Sequence, residues 1–215
     1  MATTAVRCGL ARHPAASPQR QTASGLSPKS TRSYCTPGCE NAVENHTSTH
    51  KVSEPYPVMY WFAGGGGGEP VLAKALLAIS EHFTLLNTLV WDKVDPGLGW
   101  RWRRSWEAII EASNGQPKGW YGGTEKRNVL RYAKAIPQAD DHPTPKPVPL
   151  LEELIRAAAP FRGLILDPFA GSGPTVIAAE RTGRTCLAVE LEPRYCDIVL
   201  ARWEALTGSE PVRVS

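Results

Sequence analysis

A glycine-rich turn between a short apolar run and a helical pattern is the feature that most constrains how this 215-residue chain can fold. The apolar run ends in Asp167, and the turn continues as Pro168-Phe169-Ala170-Gly171-Ser172-Gly173-Pro174-Thr175. Glycines allow a ligand to approach the backbone closely, and a helix start offers unpaired N–H groups and the positive end of the helix dipole. The order of strand, tight loop and helix therefore predicts an α/β protein whose loop binds a nucleotide-like cofactor.

Composition sets broad limits on the class of protein. A hydrophobic content of 42% and a net charge of +3 are ordinary for a globular domain, and this charge permits a nucleic-acid partner without requiring one. No apolar stretch approaches 18 residues, so we expect no membrane span. The five cysteines are odd in number and scattered, which favours reduced thiols in a cytoplasmic protein.

The first 55 residues differ from the rest of the chain. They contain no acidic residue up to Cys39 and no apolar periodicity, so we predict a disordered or unrelated tail over residues 1–55. An organelle transit peptide has a similar composition, but a tail without a fold is the favoured interpretation. Two cysteines and two histidines form a C-x3-C and H-x3-H set with too short a gap for a zinc finger, so we expect no metal site: Cys35, Cys39, His46 and His50.

From residue 58 onwards the pattern becomes regular. It predicts strands over residues 58–62, 83–91, 106–112, 163–166 and 185–189, and helices over residues 70–82, 149–158, 175–182 and 193–206. Residues 116–147 are rich in glycine, proline and charge, which is typical of loops. Alternating strands and helices predict an α/β sheet with helices on both faces.

An acid also ends the strand that follows the glycine turn. Glu190 lies about twenty residues after the loop, where a carboxylate can accept hydrogen bonds from both ribose hydroxyls. The dinucleotide fingerprint requires a further glycine three positions after Gly173, and Val176 stands there instead. The pattern therefore favours a nucleoside cofactor and argues against NAD and FAD.

Three segments of the chain resemble motifs of one enzyme family. Residues 167–175 resemble motif I of the amino-group DNA methyltransferases, which move a methyl group from S-adenosylmethionine to adenine N6 or cytosine N4. Upstream, the His-Pro-Thr-Pro-Lys-Pro run at 142–147 is similar to motif X, and downstream residues 188–195 are similar to motif II. Motif X before motif I marks the β-type permuted order, in which the catalytic half comes first.

The resemblance, which covers about residues 58–208, implies a Rossmann-like S-adenosylmethionine-dependent methyltransferase fold. Its domain would span residues 56–215, with the remnant of a catalytic, DNA-facing half at 56–135 and a cofactor-binding half at 136–215. It also implies contacts to the cofactor: Glu190 to the ribose, Thr144 and Lys146 to the methionine carboxylate, and Asp167, Phe169, Ala170, Gly171, Ser172 and Gly173 around the methionine part.

A segment rich in tryptophan and arginine resembles the family's Trp-x-Lys element and the residues that follow it. Interleaved cations and rings can bind phosphates and stack on bases, and methylating a base in a duplex requires flipping it out. This interpretation predicts contacts to double-stranded DNA from Lys93, Arg101, Arg103 and Arg104. A solvated hairpin whose tryptophans cover the core is an equally weighted alternative.

The family's catalytic motif, Asp-Pro-Pro-Tyr or a close variant, does not occur in the sequence, so no catalytic residue is assigned. The run Glu54-Pro55-Tyr56-Pro57 resembles it only in composition. In this fold the strand that carries the motif lies beside the strand ending at Asp167, and residues 1–55 show no run with strand character. We therefore expect an incomplete sheet, with backbone groups and apolar faces left uncovered.

Two functions remain open at this stage. The first is a site-specific DNA methyltransferase of the restriction–modification type, with adenine N6 favoured over cytosine N4 and little or no activity in this chain alone. The second is a non-catalytic remnant that binds S-adenosylmethionine, DNA or both. Val176 and the motif X resemblance argue against a nicotinamide-dependent oxidoreductase.

Overall fold

A computed structural model describes residues 4–8, 33–35, 58–63, 69–97, 102–117, 119–136 and 144–214. The chain divides into two compact units. The glycine-loop unit comprises residues 1–49, 137–143 and 161–215, and the hairpin unit comprises residues 50–136 and 144–160. Within the described ranges, no helix is both long enough and apolar enough to cross a membrane.

The glycine-loop unit contains a five-stranded sheet. In spatial order its strands are β7 (Leu164–Asp167), β8 (Thr185–Glu190), β1 (Thr4–Cys8), β2 (Ser33–Cys35) and β9 (Val212–Val214). Strands β7 and β8 are parallel, and β1 pairs with β8 in the antiparallel sense. Helix α3 (Pro174–Thr182) joins β7 to β8, and α4 (Pro193–Thr207) follows β8; each begins with proline and ends at a left-handed glycine.

The hairpin unit contains a four-stranded sheet. Its order is β3 (Val58–Ala63), β5 (Trp106–Ser113), β4 (Thr84–Asp92) and β6 (Val129–Arg131). Helix α1 (Glu69–Ser80) connects β3 to β4, and α2 (Val148–Ala158) follows β6. The apolar stripe of α1 packs on one face of the sheet, in a cluster formed by Leu72, Ala75, Leu76, Ile79, Phe83, Ile110 and Ala112.

The helices and strands predicted from residue 58 onwards are confirmed, with each end within two residues of its predicted position. The expectation of no strand in residues 1–55 is wrong, because β1 and β2 lie there. Strand β6 lies in the predicted loop, and β9 follows the last predicted helix. These four strands have three to five residues each. They are therefore too short to show periodicity, and they form by pairing with distant strands.

One edge of the glycine-loop sheet is open. Among the described residues β7 pairs only with β8, and its side chains Leu164 and Leu166 are 62% and 66% exposed. Parallel strands in α/β proteins are normally buried on both faces. This is the edge beside which the strand of the catalytic motif was expected. The Rossmann-like fold is therefore incomplete at this point of the described chain.

Candidate functional site

Two carboxylates hold the glycine turn at the ends of β7 and β8. Because these strands are parallel, their carboxyl ends lie at the same edge of the sheet. Asp167 Oδ1 accepts a hydrogen bond from the Phe169 N–H at 3.0 Å, and Glu190 Oε2 accepts one from the Gly171 N–H at 2.6 Å. Glu190 Oε1 accepts two more, at 2.9 Å each, from the next two amides of the chain. The predicted loop residues and the predicted ribose acid are thus brought together.

The path of the turn depends on its two glycines. Gly171 and Gly173 have φ values of 54° and 76°, in the left-handed region that favours glycine. A Cβ on Gly173 would lie 2.5 Å from Val199 Cγ2 of α4, so this position also excludes a side chain by packing. The helix can therefore approach the turn closely only where glycine stands.

A side chain from α4 braces the same turn. Ser172 is 1% exposed, and Arg202 Nη1 donates to its carbonyl oxygen at 3.1 Å and to its Oγ at 3.2 Å. Arg202 lay in the stretch that resembled the family, but it was given no role from sequence. A cation on the helix after the acid was the available signal, and the tertiary contact reveals its function as a support for the loop.

The chemistry of the turn favours acceptors over donors. The N–H groups of Phe169, Ala170, Gly171 and Gly173 all donate within the unit, and Pro174 has no N–H to offer. Two carboxylates flank the backbone, so a phosphate would meet negative charge here, whereas phosphate-binding loops offer free amides. The turn fits a ligand with hydroxyl groups and a cationic centre. Exposed apolar side chains lie next to the acids: Phe169 is 81% exposed and Leu191 is 63% exposed.

The nearby cysteine is a packing residue. Cys186 of β8 is fully buried, and burial, assisted by the negative charge of Asp167, raises the pKa of its thiol. A thiol with a raised pKa stays protonated and is a poor nucleophile. The interpretation of this cysteine as part of the core agrees with its surroundings.

In the hairpin unit, Lys146 lies in a cluster of charges and rings. Its flanking residues Pro145 and Pro147 are buried, while Thr144 is exposed. The Lys146 Nζ donates to Glu107 Oε2 at 3.0 Å. The same ammonium lies 5.3 Å and 5.4 Å from the centroids of two aromatic rings, within the range of cation–π attraction: Phe62 and Trp91.

Glu107 binds a second cation as well. Lys93 Nζ donates to Glu107 Oε1 at 3.2 Å, and the side chains of Lys93 and Glu107 are each 12% exposed. Burial by itself raises the pKa of Glu107, but the ammonium groups of Lys146 and Lys93 outweigh burial and hold that pKa below its ordinary value. The carboxylate is therefore ionised at neutral pH.

The residues predicted to contact DNA have different surroundings. Lys93 is held by Glu107, Arg101 lies outside the described residues, and Arg103 and Arg104 are exposed. Arg103 donates from Nε to the carbonyl oxygen of Gly97 at 3.1 Å.

The tryptophans of this segment divide in the same way. Trp91 is 2% exposed, and its indole N–H donates to the Tyr132 carbonyl oxygen at 2.7 Å, whereas Trp102 is 91% exposed. The core-covering interpretation therefore suits Trp91, and Trp102 is available to solvent.

Sequence reasoning gave no role to either acid of β5. Glu111 is 5% exposed and accepts hydrogen bonds from the Tyr60 hydroxyl at 3.1 Å and from Asn87 Nδ2 at 2.8 Å. Burial and the adjacent Glu111 carboxylate raise the pKa of Tyr60, which keeps its proton for this bond. The signal in the sequence was the occurrence of Glu107 and Glu111 within an otherwise apolar strand.

Comparisons with known proteins agree with this architecture. The profile of the family described as DNA methylase, which covers N6 and N4 methyltransferases, matches residues 41–201. The type II methyltransferase M2.DpnII of Streptococcus pneumoniae is 33% identical over 142 residues, which are 58% of this chain and 53% of that protein. M2.LlaDCHI of Lactococcus lactis subsp. cremoris is 32% identical over 139 residues, 57% of this chain and 52% of that protein. The chain thus spans about half the length of these curated relatives.

Solved structures show the same fold. The complex of M1.HpyAVI with S-adenosylmethionine matches with a TM-score of 0.58 at 23% identity, covering 69% of this chain and 75% of that one. The DNA modification methylase TTHA0409 of Thermus thermophilus, complexed with S-adenosylmethionine, matches with a TM-score of 0.52 at 26% identity over 70% of each chain. The family profile spans most of the sequence, and the glycine turn and strand-end acids lie within it. This chain therefore belongs to the DNA methylase family of N6 and N4 methyltransferases.

Proposed function

We propose that this chain is an S-adenosylmethionine-binding DNA amino-methyltransferase whose cofactor-binding parts are retained and whose target-base site is incomplete. The observation that carries the proposal is the turn between β7 and β8, held by Asp167 and Glu190. It presents carboxylates where a dinucleotide site presents free amides. S-adenosylmethionine has ribose hydroxyls and a sulfonium, both of which suit such acceptors.

In the glycine-loop unit, Glu190 binds the ribose. A carboxylate has about four acceptor positions, and three backbone N–H groups occupy part of this capacity. The remaining acceptor capacity suits a ribose hydroxyl. When bound, the cofactor supplies an electrophilic methyl carbon on a sulfonium. Asp167 and Glu190 place negative charge near that cation, and residues 169–173 shape the turn around the methionine part.

In the hairpin unit, Lys146 binds the methionine carboxylate, with Thr144 as a hydroxyl donor beside it. Lys146 lies between two buried prolines, which restrict the backbone and lower the entropy cost of holding the ammonium in place. An ammonium and a carboxylate form a charge-assisted hydrogen bond. The supporting observation is the placement of Lys146 against Glu107 and two rings.

For the nucleic acid, we propose that Arg103 and Arg104 bind DNA phosphates and that adenine N6 is the ancestral target. Both arginines are exposed on the segment between β4 and β5. The sequence contains no Asp-Pro-Pro-Tyr motif, so it lacks the acid and ring that would hold the amine of a flipped base. We expect this chain alone to bind cofactor with little or no methyl transfer.

Cofactor binding is tested by calorimetry of the full chain with S-adenosylmethionine. We expect saturable binding that Glu190→Ala weakens about 30-fold, the effect of losing charge-assisted hydrogen bonds to the ribose and to the turn. The matched control is Glu204→Ala, an exposed acid of α4 in the same unit, which should leave the affinity unchanged. Absence of binding in the unaltered chain would contradict the proposal.

Catalysis is tested separately, by transfer of a tritiated methyl group to duplex DNA. The open edge of β7 favours a non-catalytic binding protein, so we expect transfer no higher than that of a Glu190→Ala control. Robust turnover by the unaltered chain would show that a complete target-base site exists, and the incomplete site would then have to be abandoned.

A further inference from the structure

The Lys93–Glu107–Lys146 cluster contains one more ammonium than its carboxylate needs. Each Glu107 oxygen accepts from one lysine, at 3.2 Å from Lys93 and 3.0 Å from Lys146. The cluster therefore has one uncompensated positive charge in its half-buried setting. Charges act more strongly there than in open water, because the surroundings screen them less.

The two lysines differ in exposure, which indicates where the excess charge lies. The side chain of Lys93 is 12% exposed and that of Lys146 is 25% exposed. Lys93 is thus the inner partner that neutralises Glu107. Lys146 remains the more accessible cation, and its charge is available to an anionic ligand.

The position of the Lys146 ammonium is also restricted. Rings of Phe62 and Trp91 lie within 5.4 Å of it, and the Trp91 ring is itself fixed by its hydrogen bond to a backbone carbonyl. An ammonium has three N–H donors, and Glu107 is the one hydrogen-bond acceptor that the described residues provide for it. A donor held in one place loses little entropy when it binds a ligand.

We propose that Glu107 is a positioning residue for the cofactor's carboxylate and that Lys93 is its counter-ion. Glu107 orients Lys146, and Lys93 compensates the charge of Glu107 so that Lys146 keeps its attraction for an anion. This rests on the proposed binding of the methionine carboxylate by Lys146. It assigns Lys93 to the cofactor site, where the sequence interpretation placed it among the DNA contacts.

The experiment compares two ligands by calorimetry on the full chain. S-adenosylhomocysteine has the amino-acid carboxylate, and methylthioadenosine lacks the amino-acid end. We expect Lys93→Met to weaken S-adenosylhomocysteine about fivefold, equivalent to about 1 kcal/mol, because Glu107 then neutralises Lys146. Methylthioadenosine should bind unchanged. Met retains most of the stem of lysine, and the Glu107–Lys146 pair stays intact.

A second variant separates positioning from net charge. Glu107→Gln should weaken S-adenosylhomocysteine about threefold because Lys146 loses its anchor, again with methylthioadenosine unaffected. Tighter binding, as expected if only the loss of a negative charge mattered, would overturn the positioning role. The matched control is Glu153→Gln, which removes an acid paired with Lys126 at 2.6 Å in the same unit and should change neither affinity.

The outcomes are distinguishable from failure of the proposed function. If the unaltered chain binds neither ligand, the proposed function fails and this inference fails with it. If the unaltered chain binds both and the two variants weaken both ligands equally, Glu107 and Lys93 only maintain the fold. The positioning role alone is then overturned, and cofactor binding stands.

Discussion

Strands β5 and β7 are both rich in apolar residues, yet they have opposite surroundings. Ile109 and Ile110 of β5 are fully buried, whereas Leu164 and Leu166 of β7 are more than 60% exposed. Strand β5 pairs on both edges and receives α1 on one face, whereas among the described residues β7 pairs on one edge only. An apolar strand is therefore buried by its neighbours and not by its own composition. Within the described part of this chain, the neighbour is lacking beside the glycine turn.

The described N-terminal strands do not make good this lack. Strand β1 pairs with β8, on the edge opposite to the one that β8 shares with β7. This strand thus extends the sheet away from the position where a catalytic strand would lie. Three comparisons test the difference between β5 and β7 and its consequences, in order from the largest expected effect to the smallest.

The largest effect is expected from removing side chains from the two strands. Ile109→Ala in β5 should lower the free energy of unfolding by about 2–5 kcal/mol, because it leaves a cavity in a packed core. Leu166→Ala in β7 should change it by less than about 0.5 kcal/mol, since that side chain is largely exposed. Urea unfolding followed by circular dichroism measures both. A large loss in Leu166→Ala would mean that β7 is covered in solution.

The second comparison uses two left-handed glycines of the glycine-loop unit. Gly173→Ala should cost about 2–3 kcal/mol, because the φ of 76° is strained for alanine and the new Cβ would clash with Val199. Gly208→Ala has a similar φ of 69° and nothing within 4 Å, so only the backbone strain of about 1 kcal/mol remains. Thermal unfolding of the pair measures the difference. Equal losses would remove the packing argument for the turn.

The smallest effect concerns the charges that the hairpin unit buries beside β5. The folded-state pKa of Glu107 lies below its ordinary value of 4.5. Its contribution to stability is therefore present above that value and is lost as pH falls through the folded pKa. Glu107→Gln should cost about 1 kcal/mol at pH 7 and progressively less below pH 4.5, as urea unfolding at a series of pH values would show. A cost that stays constant with pH would exclude an ionic origin.

Much of the fold was predictable because its signals are local. Apolar periodicity, first-turn prolines and terminal glycines located α3 and α4 within a residue at each end. The glycine turn and the two strand-end acids were located in the same way. Strands β1, β2, β6 and β9 were missed because each is short and depends on a partner far away in the sequence.

The candidate site was predictable in its loop and less so in its supports. The loop residues and Glu190 follow a spacing that local chemistry explains, and the structure places them in contact. Arg202 beneath Ser172, and Glu107 between two lysines, act only through contacts made by folding. A charged residue in a helix or a strand has the same local pattern whether it supports a site or faces solvent.

The amino-acid sequence alone was sufficient to predict the element order from residue 58, the acceptor-rich turn and the family resemblance, because backbone propensity and motif spacing are properties of neighbouring residues. Folding decided which strands have neighbours and which charges are shared. Among the described residues it left β7 with an open edge and buried Lys93 against Glu107, since pairing and burial depend on residues that are distant along the chain.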